Sequence, residues 1–298
     1  MELSVSTYSL GRWCRENHKS LDQCLSWMAG AGIKAVEFVG LDDKAETIGK
    51  LKRADQIRRR CDRLGLAVAA YCVGAELLST PKVQRDTVKR LKGEVDIAAE
   101  LGCKTMRHDI TRGWDGAKGL RGPKTLGQAL KIVVPAIRAI ADHAGDRDII
   151  TSLENHGFYM QASPRIQKLI QAVNHSHFAL TIDMGNFLCV NENPVDAVKR
   201  LCKYTVMAHV KDFHVKPKNR MPQTGWFATP TSIALRGAIV GHGAIDVPAQ
   251  LRLLKRAGYK GYLSLEFEGM EEPTMAVLTG LEYLRKQLRA IKALDRGL

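Results

Sequence analysis

At 298 residues, the chain fits a single α/β barrel, with 45% apolar and 26% charged residues, an ordinary globular balance. Its formal net charge of +14 favours anionic partners, whether nucleic acid, phosphorylated compounds or an acidic protein surface. No apolar run approaches the ~20 residues that span a bilayer, and the opening "MELSVSTYSLG" lacks the apolar core of a secretory signal.

In chain order, apolar segments rich in β-branched residues predict strands near 2–8, 34–39, 66–72, 103–108, 149–154, 178–183, 205–210 and 262–266. Segments of helical periodicity follow each, near 19–31, 44–64, 81–101, 124–144, 163–174, 194–203, 246–257 and 271–293. Glycines in "DRLGLAV" and "AELGCKT" stand where a C′ glycine ends a helix. Eight strand-then-helix units without a linker predict one (β/α)8 TIM barrel over residues 1–298. No G-x-G-x-x-G follows the first strand, which excludes a dinucleotide-binding sheet. The stretch 212–245 reads as one long irregular loop, a candidate lid. Seven scattered cysteines without a C-x-x-C pair predict reduced thiols and a cytoplasmic setting. The basic residues concentrate in helices, as in "GKLKRADQIRRRCDRLG", which is the pattern of a solvated face.

In a TIM barrel, chemistry sits at the C-terminal ends of the strands. Four consecutive predicted strands bring Glu154, Asp183, His209 and Glu266 to that end. Three converging carboxylates repel one another unless a cation joins them. Oxygen-rich ligation with one imidazole suits Mn²⁺ first, with Mg²⁺, Co²⁺, Fe²⁺ or Zn²⁺ as alternatives. H-E-x-x-H, the common sign of a zinc hydrolase, is absent.

The series "ENHG", "IDMGN", "AHVKDF", "GHGAID" and "LSLEFEG" resembles the xylose isomerase-like TIM-barrel superfamily of sugar phosphate isomerases and epimerases. The resemblance covers nearly the whole chain, and it implies that Glu154, Asp183, His209 and Glu266 bind the metal. It further implies a sugar substrate, with Glu154 and Glu266 as acid and base around an enediolate. Relatives apply the same enolisation to keto-acid dehydration or keto-glycoside cleavage, so a lyase is the alternative. Asn186 stands where related ketose epimerases carry a substrate-binding histidine. His108, His156 and Lys211 are further substrate-binding candidates, with Lys211 and Asp212 bracing His209. Trp13, Trp114 and Trp226 are candidate apolar walls for a sugar ring, and each equally suits loop packing. A homo-oligomer or an acidic partner subunit would fit the basic surface.

The barrel is shared with endonuclease IV-type enzymes, and +14 suits a phosphate backbone. Two departures count against a nuclease. Asn186 replaces that family's histidine, and its D-x-H is missing where Leu235 and Gly237 stand.

Overall fold

In a computed structural model of the chain, residues 1–41, 47–114 and 122–294 are described. The predicted helical positions 44–46 lie outside them. Eight parallel strands close into a barrel: β1 (Glu2–Ser6), β2 (Ala35–Val39), β3 (Ala67–Val73), β4 (Thr105–His108), β5 (Ile150–Glu154), β6 (Phe178–Asp183), β7 (Thr205–Val210) and β11 (Tyr262–Leu265). The neighbours run in sequence order from β1 to β7, and β11 closes the ring between β7 and β1. Parallel strands buried on both faces read as near-continuous apolar runs, which is why the sequence exposes them. Near the strand starts, Ala35, Ala69, Ala70 and Met207 pack together with Tyr262.

The helical layer comprises α1 (Thr7–Glu16), α2 (Leu21–Gly30), α3 (Thr47–Leu64), α4 (Pro81–Leu101), α5 (Leu126–Gly145), α6 (Ser163–Val173), α7 (Pro194–Leu201), α8 (Val247–Arg256) and α9 (Pro273–Leu294). Local chemistry sets several ends. Ser20 with Gln23, and Thr125 with Gln128, form capping boxes. Thr80 caps α4 ahead of Pro81, and Gly102 ends that helix at φ 81°. No helix among the described residues is long and apolar enough to cross a membrane.

Two expectations are corrected. The first strand stops at Ser6, not residue 8, because the Ser6 hydroxyl accepts from the Tyr8 N–H and starts α1 at Thr7. The stretch 212–245 is not irregular. It carries β8 (Asp212–Pro217), β9 (Phe227–Ala228) and β10 (Ile233–Ala238), paired antiparallel in the order β8-β10-β9. Phe213 and Leu235 pack with Cys189 into a small core beneath this arm. Its root is fixed to the barrel mouth. The Asp212 carboxylate accepts N–H donors from Phe213, Gly241, Gly243 and Ile245 at 2.8–3.1 Å. Gly237 bridges to Gly269, where a Cβ on Gly237 would lie 2.6 Å from the Glu268 carbonyl carbon.

Candidate metal centre and active site

Strands β5, β6, β7 and the residue after β11 deliver Glu154, Asp183, His209 and Glu266 to one point. One ligand atom from each lies within 4.8 Å of all the others, and none of the four side chains is more than marginally exposed. The ladder explains the convergence. Asp183 pairs with His209, and His209 with Ser264, two residues before Glu266.

The stretch "ENHG" divides its work residue by residue. Glu154 faces the lumen. Asn155 clips the ends of β5 and β6 together, donating to the Asp183 carbonyl at 2.9 Å and accepting the Asp183 N–H at 2.7 Å. His156 Nδ1 lies 3.3 Å from Asp109 Oδ1, and Gly157 turns the chain at φ 80°. After β6, Asp183 Oδ1 accepts the N–H groups of Gly185 and Asn186 at 2.7 and 2.9 Å. Asn186 Nδ2 in turn donates to Glu154 Oε1 at 3.2 Å.

Two permanent cations balance the carboxylates. Arg107 Nη2 lies 2.5 Å from Glu154 Oε2. Lys211 Nζ lies 2.9 Å from Glu266 Oε2, 3.3 Å from Asp183 Oδ2 and 3.6 Å from Glu268 Oε2. Burial works against ionisation of Glu154, yet Arg107 and then His209 hold it well below the usual carboxylate range. His209 and Lys211 likewise lower Glu266 against its burial. Asp183 goes the other way. Burial, reinforced by Glu154 and Glu266 and opposed by Lys211, pushes it up to about 6. Buried Glu154 Oε2 and Asp183 Oδ2 make no aligned hydrogen bond. Beyond these cations, four buried groups, three of them carboxylates, each offer a ligand atom within 4.8 Å of the others, so the donor set fits a divalent ion.

Several predicted residues lie elsewhere. On β4 it is Arg107 that enters the lumen, so its neighbour His108 faces the helical layer by alternation. There its ring lies 6.3 Å from Phe178 and its Nδ1 meets the Asp109 carbonyl. Burial lowers its pKa to about 4, which keeps the ring neutral. Trp13 packs at a tilt against Trp27, ring centroids 5.5 Å apart, between α1 and α2. Trp114 is half-buried against the core, next to residues outside those described. Trp226 stands on the arm, near the charged ends of Lys216 and Arg236 at 5.7 and 5.9 Å. Lys211 does not brace His209 but enters the carboxylate cluster, and Asp212 instead anchors the arm.

Two residues of the centre escaped the sequence reading. Arg107 sits one position before a strand end. Glu37 lies in mid-strand on β2, fully buried, with Oε2 2.8 Å from His209 Nε2. Its signal was a carboxylate inside the apolar run "AVEFV". Beside the centre a cavity of about 720 Å³ is lined by Tyr8, Arg12, Arg15, Phe38, Phe267 and Glu268, among others. Tyr8 donates its hydroxyl to Glu268 at 3.3 Å, which joins the cavity wall to Lys211.

The profile of the xylose isomerase-like TIM barrel family matches residues 25–287. The chain belongs to that family. An inosose dehydratase of Clostridium botulinum (strain Eklund 17B) is 23% identical over 282 residues, covering 92% of this chain and 89% of that protein. A protein named IOLI, solved with a bound zinc atom, superposes with a TM-score of 0.71 at 17% identity, over 97% of this chain and 96% of its own. The 3-keto-D-glucoside 4-epimerase of E. coli gives a TM-score of 0.67 at 17% identity, over 89% and 94%. The chain is thus similar in sequence to dehydratases and in fold to an epimerase.

Proposed function

We propose that this chain is a divalent-metal-dependent lyase that dehydrates a polyhydroxy ketone, starting with removal of the proton α to the carbonyl. The unequal pairing of the two glutamates carries this reading. Arg107 engages one oxygen of Glu154, and a guanidinium gives up no proton. Glu154 is thereby fixed as a charged ligand. Glu266, ionised beside Lys211, is the base. His156, held protonated to higher pH by its bond to Asp109, is the acid that meets a departing hydroxide. One base and one acid serve an elimination. An epimerase must return a proton to the same carbon from the opposite face, a role that Glu154, held by Arg107, does not serve.

Glu154, Asp183, His209 and Glu266 would hold the ion, which supplies Lewis acidity toward a ketone when bound. The donor set favours Mn²⁺, and the zinc in one relative supports a site open to several ions. The inosose dehydratases lead us to a keto-cyclitol or related keto sugar as substrate. The second reading is a sugar isomerase or epimerase. It is favoured by the near-equal approach of Glu154 and Glu266 to His209 Nδ1, at 3.3 and 3.4 Å, which sets the two carboxylates about one point. For the nuclease, the one other metal-capable cluster among the described residues, Glu37–Cys72–His209, shares its histidine with the quartet. No independent multi-metal set stands there.

Proton NMR in D₂O with keto-inositols, ketoses and keto-glycosides tests the assignment. The expected result is loss of one water from a keto-cyclitol, abolished by chelation and restored by Mn²⁺. Formation of an epimer or isomer with the substrate mass retained would overturn the lyase in favour of the second reading.

The raised proton affinity of Asp183 adds a pH dependence. The folded protein holds that proton up to about pH 6, whereas the carboxyl ordinarily titrates at 3.8. An incoming ion must displace a proton from His209, which Glu266, Glu37 and Glu154 raise well above the usual imidazole range against its burial, and below about pH 6 a second from Asp183, so apparent affinity falls more steeply below pH 6 than above it. In the metal-free protein the same group contributes stability at low pH that is lost as pH rises through about 6. Calorimetric titration in buffers of different ionisation heat would record the released proton. A pH-independent affinity between 5 and 7 would refute it.

A further inference from the structure

The imidazole of His209 is held from two sides. Its Nδ1 faces Glu154 Oε1 and Glu266 Oε1 at 3.3 and 3.4 Å, and its Nε2 faces Glu37 Oε2 at 2.8 Å. Glu37 itself is fully buried on β2, and its Oε1 has no hydrogen-bond partner among the described residues. β2 pairs Glu37 with Ser6 of β1 and Ala70 of β3, small neighbours that leave the carboxylate room to reach across the lumen. A buried carboxylate in an apolar strand is costly unless something requires it. Here its single aligned bond is to the far nitrogen of a ligand group.

We infer that Glu37 is a positioning residue: it accepts the Nε2–H of His209, and so fixes the tautomer in which the Nδ1 lone pair points at the metal centre. This rests on the metal reading of the quartet and adds a residue to it. A neutral imidazole carries one N–H and one lone pair, so the partner of one nitrogen decides the role of the other. Ligating histidines commonly donate their second nitrogen to a carboxylate, which also raises ligand basicity. A competing arrangement is built from the same atoms. Cys72, Glu37 and His209 offer one ligand atom each within 4.8 Å. An ion there would take His209 through Nε2 and make Glu37 a ligand. The two arrangements exclude each other because Nε2 cannot both carry the proton that Glu37 accepts and bind an ion.

The test uses the full chain as wild type, Glu37→Gln, Glu37→Leu and Cys72→Ser, with Zn²⁺ and Co²⁺ as probes. Long-range ¹H–¹⁵N NMR of the Zn²⁺-loaded wild type is expected to report a proton on Nε2 and the ion on Nδ1. Glu37→Gln keeps an acceptor oxygen and so keeps the tautomer, but loses the negative charge. Its Zn²⁺ affinity is expected to fall roughly tenfold to a hundredfold. Glu37→Leu removes the acceptor, and its tautomer population shifts as well. Unchanged affinity in both variants, with wild-type circular dichroism, would overturn the proposal. So would a thiolate–cobalt absorption band that disappears in Cys72→Ser, since the ion would then occupy the inner cluster. If the wild type takes up neither ion, the metal reading itself fails, a result separable from the variant series.

Discussion

Glu266→Gln is expected to lower kcat by roughly 10²–10⁴-fold on whichever ketone the protein accepts, measured at saturating Mn²⁺. The change is nearly isosteric, so the backbone after β11 keeps its place. What goes is the charge that Lys211 stabilises 2.9 Å away, and with it the capacity to take a proton. Lys211 keeps Asp183 as a partner at 3.3 Å, so the substitution leaves no buried ammonium alone. Solvent deuterium exchange separates this from a loss of metal. With the ion bound, exchange α to the carbonyl should disappear together with turnover. Exchange at the wild-type rate would assign the base to another group, and Glu154 would be next to examine.

Lys211→Met should act mainly on stability, and most strongly without metal. The Lys211 side chain is 7% exposed and lies against Asp183, Glu266 and Glu268. Removing one partner from a buried charge cluster costs about 3–5 kcal/mol, because the buried Asp183 and Glu266 left behind lose their nearest ammonium. Denaturant unfolding in a chelator should report a loss of that order. Saturating Mn²⁺ should recover much of it, since an ion binding only the folded state adds stability in proportion to the logarithm of its concentration over Kd. Metal-free stability within about 1 kcal/mol of wild type would mean that protons, not Lys211, neutralise the cluster.

The barrel was legible because a parallel strand inside two layers has little freedom of composition. "IITSLE" and "FALTID" announce both a buried strand and its polar end. Glu154, Asp183, His209 and Glu266 could be placed in one layer from strand ends alone. That rule failed wherever the informative residue was not the last one. On β4 the pleat sends Arg107, not His108, to the lumen, and one register step reverses the assignment. Glu37 was hidden because nothing local distinguishes a carboxylate reaching across a barrel from an error in the strand boundary. The helix α1 was hidden for the opposite reason. Its start, "STYSL", is rich in β-formers, and the cap supplied by Ser6 decides the matter only in three dimensions. The arm at 212–245 was lost among prolines, glycines and charges, although "DFHVKP" and "IALRGA" turn out to be complementary strands. Pairing is long-range information that neither segment carries alone.

That arm has a further consequence. Its attachment is made of backbone: four N–H groups on the Asp212 carboxylate, a ladder of main-chain bonds, and a glycine pressed against a neighbouring strand end. None of these fixings depends on which side chains occupy 218–232, where Lys218, Trp226 and Phe227 now stand. The tip is therefore a replaceable grip on a fixed wrist. Its length and chemistry can drift while the strand-end carboxylates stay where the barrel holds them.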